Sequence, residues 1–262
     1  MLLAIDAGNT NIVFALMEGA DIRQQWRLET DAAHAGDSCQ SWLSEALEGA
    51  GVDAAAIDGA IIACVVPKAL QPLKDTCAAM FGISPLVVGE DGVDIGIEVR
   101  ISSPGDVGAD RLVNAVAAHH EVEGKCIVLD FGTATTFDVV GADGAYLGGV
   151  ICPGINLSLK ALYEAAAKLP LIEIREPENG RVTGGSTEEA MQSGIFWGYV
   201  GLIEGFVARL RAEHGGITRV FATGGLAGIF AEHTEAIDCV DRDLTVKGLR
   251  LIHDRNSNQD NP

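Results

Sequence analysis

The chain has 262 residues, 48% of them hydrophobic and 21% charged, enough apolar matter for one large domain or two small ones and too much for a disordered polymer. A formal charge of −19 argues against nucleic acid and anionic membranes as partners, so any phosphate site must be built locally from backbone N–H groups, helix N-termini or bound cations. With 32 glycines and 5% aromatics, the composition suits an α/β protein rich in tight turns better than a nucleic-acid stacking surface.

Met1 leads straight into an apolar run with no basic segment or cleavage site before it, and no apolar run nears the ~18 residues of a membrane span, so a cytoplasmic protein is expected. Leu2 to Ile5 reads as a strand, Asp6-Ala7-Gly8-Asn9-Thr10-Asn11 as a polar glycine turn, and Ile12 to Met17 as a second strand, with Trp26 to Thr30 as a third member of the meander. Trp42, Leu43, Ala46 and Leu47 at helical spacing predict a helix over 38–50, capped by Asp37 or Ser38. Gly59 to Val66 is an apolar strand ended by Pro67, and a further helix is expected over 109–120.

The pattern then recurs. Cys126 to Leu129 is a strand, Asp130-Phe131-Gly132-Thr133-Ala134-Thr135-Thr136 a polar glycine turn, and Phe137 to Val140 a strand, which suggests internal duplication with a boundary near residue 117. Ser186-Thr187-Glu188-Glu189 is a capping-box signature opening a helix to about Glu213. Along that helix Gly194, Gly198, Gly201 and Gly205 share one face. Glycine costs about 1 kcal/mol per residue inside a helix, so either another part of the chain or a second helix in a dimer approaches there. Val220 to Ala222 leads into Thr223-Gly224-Gly225-Leu226, and the tail from Asn256 to Pro262 is expected to be disordered.

The first turn can hold phosphate. Its glycine lets backbone approach, Asn9 and Thr10 offer donors, and Asp6 at the strand end can hold Mg²⁺ directly or through water; the same residues also make an ordinary hairpin turn. The second turn repeats the acid, glycine and hydroxyl, and Thr223 to Leu226 adds a third glycine turn, as a nucleotide clamped between two lobes requires. No Gly-x-x-x-x-Gly-Lys-Ser/Thr occurs, which excludes a P-loop, and no strand is followed by Gly-x-Gly-x-x-Gly, which leaves a Rossmann site unsupported. The six cysteines are widely spread without metal spacing and read as buried apolar residues in a reducing compartment. His119 and His120 read as exposed helix-end residues, and Lys68 as a solvated loop lysine.

The three glycine turns resemble the two phosphate motifs and the adenosine motif of the superfamily that contains actin, sugar kinases and heat-shock ATPases. Within it, Asp6 to Thr10, Gly108-Ala109-Asp110-Arg111, Gly148 to Gly154 and Ser186 to Gly194 resemble segments of the type III pantothenate kinases, in order from residue 2 to about residue 250.

That resemblance implies an α/β fold of two actin-like (ribonuclease H-like) lobes with mixed sheets flanked by helices and the nucleotide in the cleft between them. The lobes would span 1–117 and 118–255, followed by the tail 256–262. It implies ATP-dependent phosphorylation of pantothenate to 4′-phosphopantothenate, the first step of coenzyme A biosynthesis, by a homodimer. Asp6, Ala7, Gly8, Asn9, Thr10, Asn11, Ile12, Val13 and Thr133 would bind ATP with Mg²⁺ at Asp6, and Asp130 would hold a monovalent cation, K⁺ or NH₄⁺. Asp110 would accept the proton of the pantothenate hydroxyl. Gly108, Ala109, Asp110, Arg111 and, from the neighbouring subunit, Thr187 would bind that substrate, Thr187 being also a candidate helix cap. The chain departs from the family in carrying Ile101 for a tyrosine and Ser102-Ser103-Pro104 for Asp-Asn-Pro. A non-catalytic accessory protein and a kinase for another small hydroxylated acceptor remain the alternatives.

Overall fold

The computed structural model describes residues 1–33, 37–166 and 168–257, less the side chains at 32, 33, 37, 38 and 179. The elements in chain order are β1 (Leu2–Ala7), β2 (Asn11–Glu18), β3 (Asp21–Glu29), α1 (Thr30–Ala33), α2 (Asp37–Gly49), β4 (Gly59–Cys64), α3 (Pro67–Phe81), β5 (Leu86–Val87) and α4 (Ala109–Glu121). There follow β6 (Lys125–Phe131), β7 (Ala134–Val140), β8 (Tyr146–Pro153), α5 (Ile155–Ala165), α6 (Thr187–His214), β9 (Ile217–Gly224), α7 (Ala227–Ala231), β10 (Cys239–Val240) and α8 (Leu244–Ser257). The chain divides into two units, Met1–His120 with Asp243–Pro262, and Glu121–Arg242.

Each unit is built on one five-stranded mixed sheet, and the two sheets share one order: β3-β2-β1-β4-β5 in the first, β8-β7-β6-β9-β10 in the second. In both, the meander pairings are antiparallel and the two that follow are parallel. The duplication expected from the two strand-turn-strand segments is thus present as topology. Register repeats as well. Asp6 lies opposite Ala63 of β4, and Asp130 opposite Thr223 of β9.

β1 is apolar from Leu2 to Ile5 because helices cover both its faces. Leu3 and Ile5 join Leu43 and Leu47 of α2 and Leu73 of α3, whereas Leu2 and Ala4 join Val113 of α4 and Val246, Leu249 and Ile252 of α8. In the second unit Ile127, Leu129 and Phe131 of β6 pack with Phe196, Tyr199, Ile203 and Val207 of α6, positions that fall on one helical face.

Pro67 starts α3 at a position whose N–H has no helical partner, which is why β4 stops at Cys64 and not at Val66. α6 opens as its capping signature requires: Ser186 Oγ accepts the Glu189 N–H at 3.2 Å. The Glu189 carboxylate reaches the N–H of Gly185 at 2.6 Å, one residue before the usual capping-box partner. The cap is Ser186, so Thr187 is not needed for it. The cap expected from Asp37 or Ser38 concerns side chains outside the described residues.

Three expectations are corrected. The last helix does not extend the second unit, and Asn256 is not in a disordered tail. α8 presents Val246, Leu249 and Ile252 to the first sheet, and Gly248 gives the room: a Cβ there would lie 2.7 Å from Val113 Cγ1 and closer still to the Val113 carbonyl. Asn256 is held at Asp94, accepting its N–H at 2.9 Å and donating to its carbonyl at 3.0 Å, while residues 258–262 lie outside the description. Second, of the two approaches expected at the glycine face of α6, the one from within the chain is not found among the described residues, since a Cβ on Gly194, Gly198 or Gly201 would meet no atom within 4 Å. Third, His119 is half-buried with Nδ1 enclosed and without a hydrogen-bond partner, unlike the exposed His120. All six cysteines are free, with Cys64 and Cys239 only half-buried. Among the described residues no helix is long and apolar enough to cross a membrane.

Candidate active site

Asp6 and Ala7 end β1, Gly8, Asn9 and Thr10 make the turn, and Asn11, Ile12 and Val13 begin β2. The turn closes tightly, with the Gly8 N–H donating to the Asn11 carbonyl at 3.0 Å, and a Cβ on Gly8 would stand 3.3 Å from that oxygen. Asn9 and Thr10 are exposed at its tip. Thr30, only 2% exposed, braces the loop from beneath: its N–H donates to the Thr10 carbonyl at 3.0 Å and its hydroxyl to the Gly8 carbonyl at 2.6 Å. In the sequence Thr30 is merely the end of a strand, and no local signal marks this role.

The Gly108-Ala109-Asp110-Arg111 segment belongs to the same unit and is brought to the end of β1 by one intermediary. Val65 donates its N–H to the Ala7 carbonyl at 3.0 Å, and its Cγ1 would lie 3.4 Å from a Cβ on Gly108. Ala109, Asp110 and Arg111 form the first turn of α4, whose N-terminal dipole favours an acid. Asp110 Oδ1 accepts the Arg111 N–H at 2.8 Å. The same oxygen would be 2.6 Å from a Cβ on Gly108, so any side chain at 108 would displace the acid. Burial pushes the Asp110 carboxyl above the usual range, and the Arg111 N–H and guanidinium charge hold back part of that rise. Ile101 is half-buried, while Ser102 and Ser103 are exposed ahead of a short 3₁₀ turn at Pro104–Asp106.

In the second unit the turn is one residue shorter. Asp130 and Phe131 end β6, Gly132 and Thr133 cross over, and the Gly132 N–H donates to the Ala134 carbonyl at 3.0 Å. Gly224, at φ +90°, lies opposite Phe131; a Cβ there would be 2.6 Å from the Phe131 carbonyl oxygen and 2.9 Å from Asp130 Oδ1. Gly154 does here what Thr30 does in the first unit. It follows the third strand and donates its N–H to the turn carbonyl of Thr133 at 3.1 Å, so closely that a Cβ would come 2.7 Å from the Gly132 carbonyl. Tyr199 ties β7 to β8, donating to the Pro153 carbonyl at 2.7 Å with its oxygen 2.8 Å from Thr135 Oγ1.

The donors on the sheet face at Asp130 are hard oxygens: its carboxylate, the Thr136 hydroxyl opposite it on β7 and the Thr223 hydroxyl opposite it on β9. Such a set fits potassium or magnesium, and Asp6 offers a carboxylate of the same kind at the equivalent position. No cluster of three or more His, Cys, Asp or Glu side chains forms a metal site among the described residues. Burial, and beyond it the Asp6 charge, pushes the Cys64 thiol up, which keeps this neighbour protonated and inert. Thr187 opens α6 with its side chain exposed, and nothing among the described residues holds its hydroxyl. Beside it a cavity of about 280 Å³ is lined by Arg175, Arg181, Ser186 and Glu189, a feature no sequence motif announced.

Similarity to known proteins follows the same line. Residues 2–209 match the family model for type III pantothenate kinase. The type III pantothenate kinase of Paramagnetospirillum magneticum is 56% identical over 257 residues, 98% of each chain, and that of Caulobacter vibrioides is 51% identical over 257 residues, again 98% of each. Among solved structures, a candidate Baf family transcriptional activator from Campylobacter jejuni superposes with a TM-score of 0.61 at 20% identity, covering 98% of this chain and 99% of that one. The inorganic polyphosphate/ATP-glucomannokinase of Arthrobacter sp. strain KM does so with a TM-score of 0.52 at 13% identity, covering 98% of each. At such identities the likeness is one of fold, the pair of actin-like α/β units. With its turns, its half-buried Asp110 and relatives matched along nearly their whole length, the chain belongs to the type III pantothenate kinase family.

Proposed function

We propose that this chain transfers the γ-phosphoryl group of ATP to the hydroxyl of pantothenate, giving ADP and 4′-phosphopantothenate, the first step of coenzyme A biosynthesis. Membership of the family supports the reaction, and the observation that carries the chemistry is Asp110, a half-buried carboxylate at a helix N-terminus, joined through Val65 to the end of β1.

In this reading the backbone of Asp6 to Val13 and the Thr133 hydroxyl bind the phosphates, and Mg²⁺ at Asp6 neutralises charge on them. Gly108 to Arg111 receive pantothenate. Asp110 orients its hydroxyl and takes the proton as oxygen attacks phosphorus and the bond to the β-phosphate oxygen breaks. A loose transition state asks more for positioning than for a strong base, and a carboxyl held above its usual range is a better proton acceptor than an ordinary one. Asp130 holds a monovalent cation, whose charge offsets part of the repulsion between ATP and a protein of net charge −19.

The protein is further proposed to act as a homodimer. The face of α6 with Gly194, Gly198 and Gly201 meets nothing among the described residues, and glycines cost helix stability there with no packing among those residues in return. Thr187 at the start of the same helix is exposed, as a residue serving the neighbouring subunit would be. Six free cysteines suit a reducing compartment, the cytoplasm.

The test is ADP release from purified protein with ATP, Mg²⁺ and K⁺, with and without pantothenate, beside Asp110→Asn. Pantothenate-dependent turnover lost in the variant is expected. ATP binding with no turnover in wild type would replace the kinase by an accessory protein or a kinase for another acceptor.

A further inference from the structure

The sheet face that carries Asp130 has a line of polar side chains running inward from the turn. Thr136 lies directly opposite Asp130 across β6 and β7, and Asp138, two residues on, points to the same face. Asp138 is 0% exposed, and its two oxygens take two hydroxyls: Tyr146 donates to Oδ1 at 2.7 Å and Thr136 to Oδ2 at 3.1 Å. A carboxylate without solvent is costly, and its neighbours on this face, Val128 and Val140, show that aliphatic residues pack there. The acid therefore calls for a reason other than packing.

The reason lies in the Thr136 hydroxyl. It has one proton and two lone pairs, and Asp138 takes the proton. With that proton committed, Thr136 offers only lone pairs to other groups, and its register position opposite Asp130 puts this hydroxyl on the same sheet face as the Asp130 carboxylate. A hydroxyl oxygen held as an acceptor beside a carboxylate is a fitting partner for a hard monovalent cation. Tyr146 engages the second oxygen of Asp138 and so keeps the carboxylate from rotating away. An asparagine at 138 would keep the shape but offer an NH₂ group, and Thr136 would then be able to turn its proton outward.

We infer that Thr136 is a second protein ligand of the monovalent cation at Asp130, and that Asp138 is the positioning residue that keeps the Thr136 hydroxyl turned to accept. The inference rests on the assignment of that cation to Asp130.

The test follows the melting temperature of the protein as KCl replaces tetramethylammonium chloride at constant ionic strength, and in parallel the K⁺ concentration that half-saturates ADP release. Wild type is expected to gain stability saturably with K⁺. Thr136→Val and Asp138→Asn are expected to raise the half-saturating concentration about tenfold or more in both readouts, the usual loss when a ligand or its orienting partner is removed. Thr136→Ser restores the oxygen and with it the wild-type value. A merely structural role lowers the melting temperature equally at every K⁺ concentration and leaves half-saturation unmoved, which overturns the inference. If Asp138→Asn does not fold, the Val and Ser variants at 136 decide. Asp130→Asn separates the two levels: a K⁺ response lost there but intact in Thr136→Val removes Thr136 and keeps the cation, whereas a wild type indifferent to K⁺ in both readouts removes both.

Discussion

Gly224 stands against the Asp130 carboxylate so closely that a methyl group in place of its hydrogen would lie 2.9 Å from Oδ1. At φ +90° an L side chain would also be strained there. Gly224→Ala is therefore expected to cost about 2–4 kcal/mol of stability and to weaken whatever Asp130 holds, whereas Gly225→Ala, which meets nothing within 4 Å, is expected to be nearly neutral. Thermal melts of the two variants, with and without K⁺, make the comparison.

Asp110 links catalysis to pH. Its raised carboxyl binds a proton more tightly folded than unfolded, so folding stability falls as pH climbs from the usual carboxylate range through the raised value. Asp110→Asn is expected to remove that slope and to lower kcat by about 10²–10⁴-fold. Turnover of the wild type should fail on acidification above the ordinary carboxylate range. The Arg111 charge holds the Asp110 carboxyl down, so Arg111→Gln should move the acidic limb of the rate profile to higher pH. A limb that stays in place would assign it to another group.

Thr30 holds the first turn through two bonds, one from its N–H and one from its hydroxyl. Thr30→Val keeps the first and loses the second, the 2.6 Å bond to the Gly8 carbonyl. A cost of about 1 kcal/mol is expected. If the turn binds phosphate, it should appear as a roughly fivefold rise in KM for ATP, with KM for pantothenate little changed.

The exposed glycines of α6 make the dimer testable. Gly198→Leu is expected to shift the protein from dimer to monomer in sedimentation equilibrium. On a monomer, Gly198→Ala would instead add about 1 kcal/mol of helix stability, since the added Cβ meets nothing. A monomeric wild type with that gain would refute the seam.

α8 depends on Gly248, where a Cβ would meet Val113 Cγ1 at 2.7 Å. Gly248→Ala should destabilise the protein by about 1–3 kcal/mol through overpacking, read in urea denaturation.

Local features of the sequence carried much of this. Both hairpins were visible because a polar glycine turn splits two apolar runs, and the shared acid, glycine and hydroxyl of Asp6 to Thr10 and Asp130 to Thr133 announced a duplication that the two sheet orders repeat. Long-range pairings were not visible. The apolar spacing of Val246, Leu249 and Ile252 marks a buried face without saying which sheet it meets, and it meets the first. Thr30 acts on a loop twenty residues away through two carbonyls, which no motif encodes. The glycine stripe of α6 told of a close approach but not by what, and among the described residues nothing makes that approach.

The first unit is discontinuous in sequence, opened by β1 and completed by α8, whereas the second is a single stretch from Glu121 to Arg242. During synthesis, Leu2 and Ala4 of β1 lack their α8 neighbours until residues 244–257 have left the ribosome, by which time the whole second unit has already emerged. The half of the molecule made first is thus the last to be finished, and a chain stalled before α8 would leave one face of its first sheet only partly covered, by α4, and a ready target for chaperones and proteases.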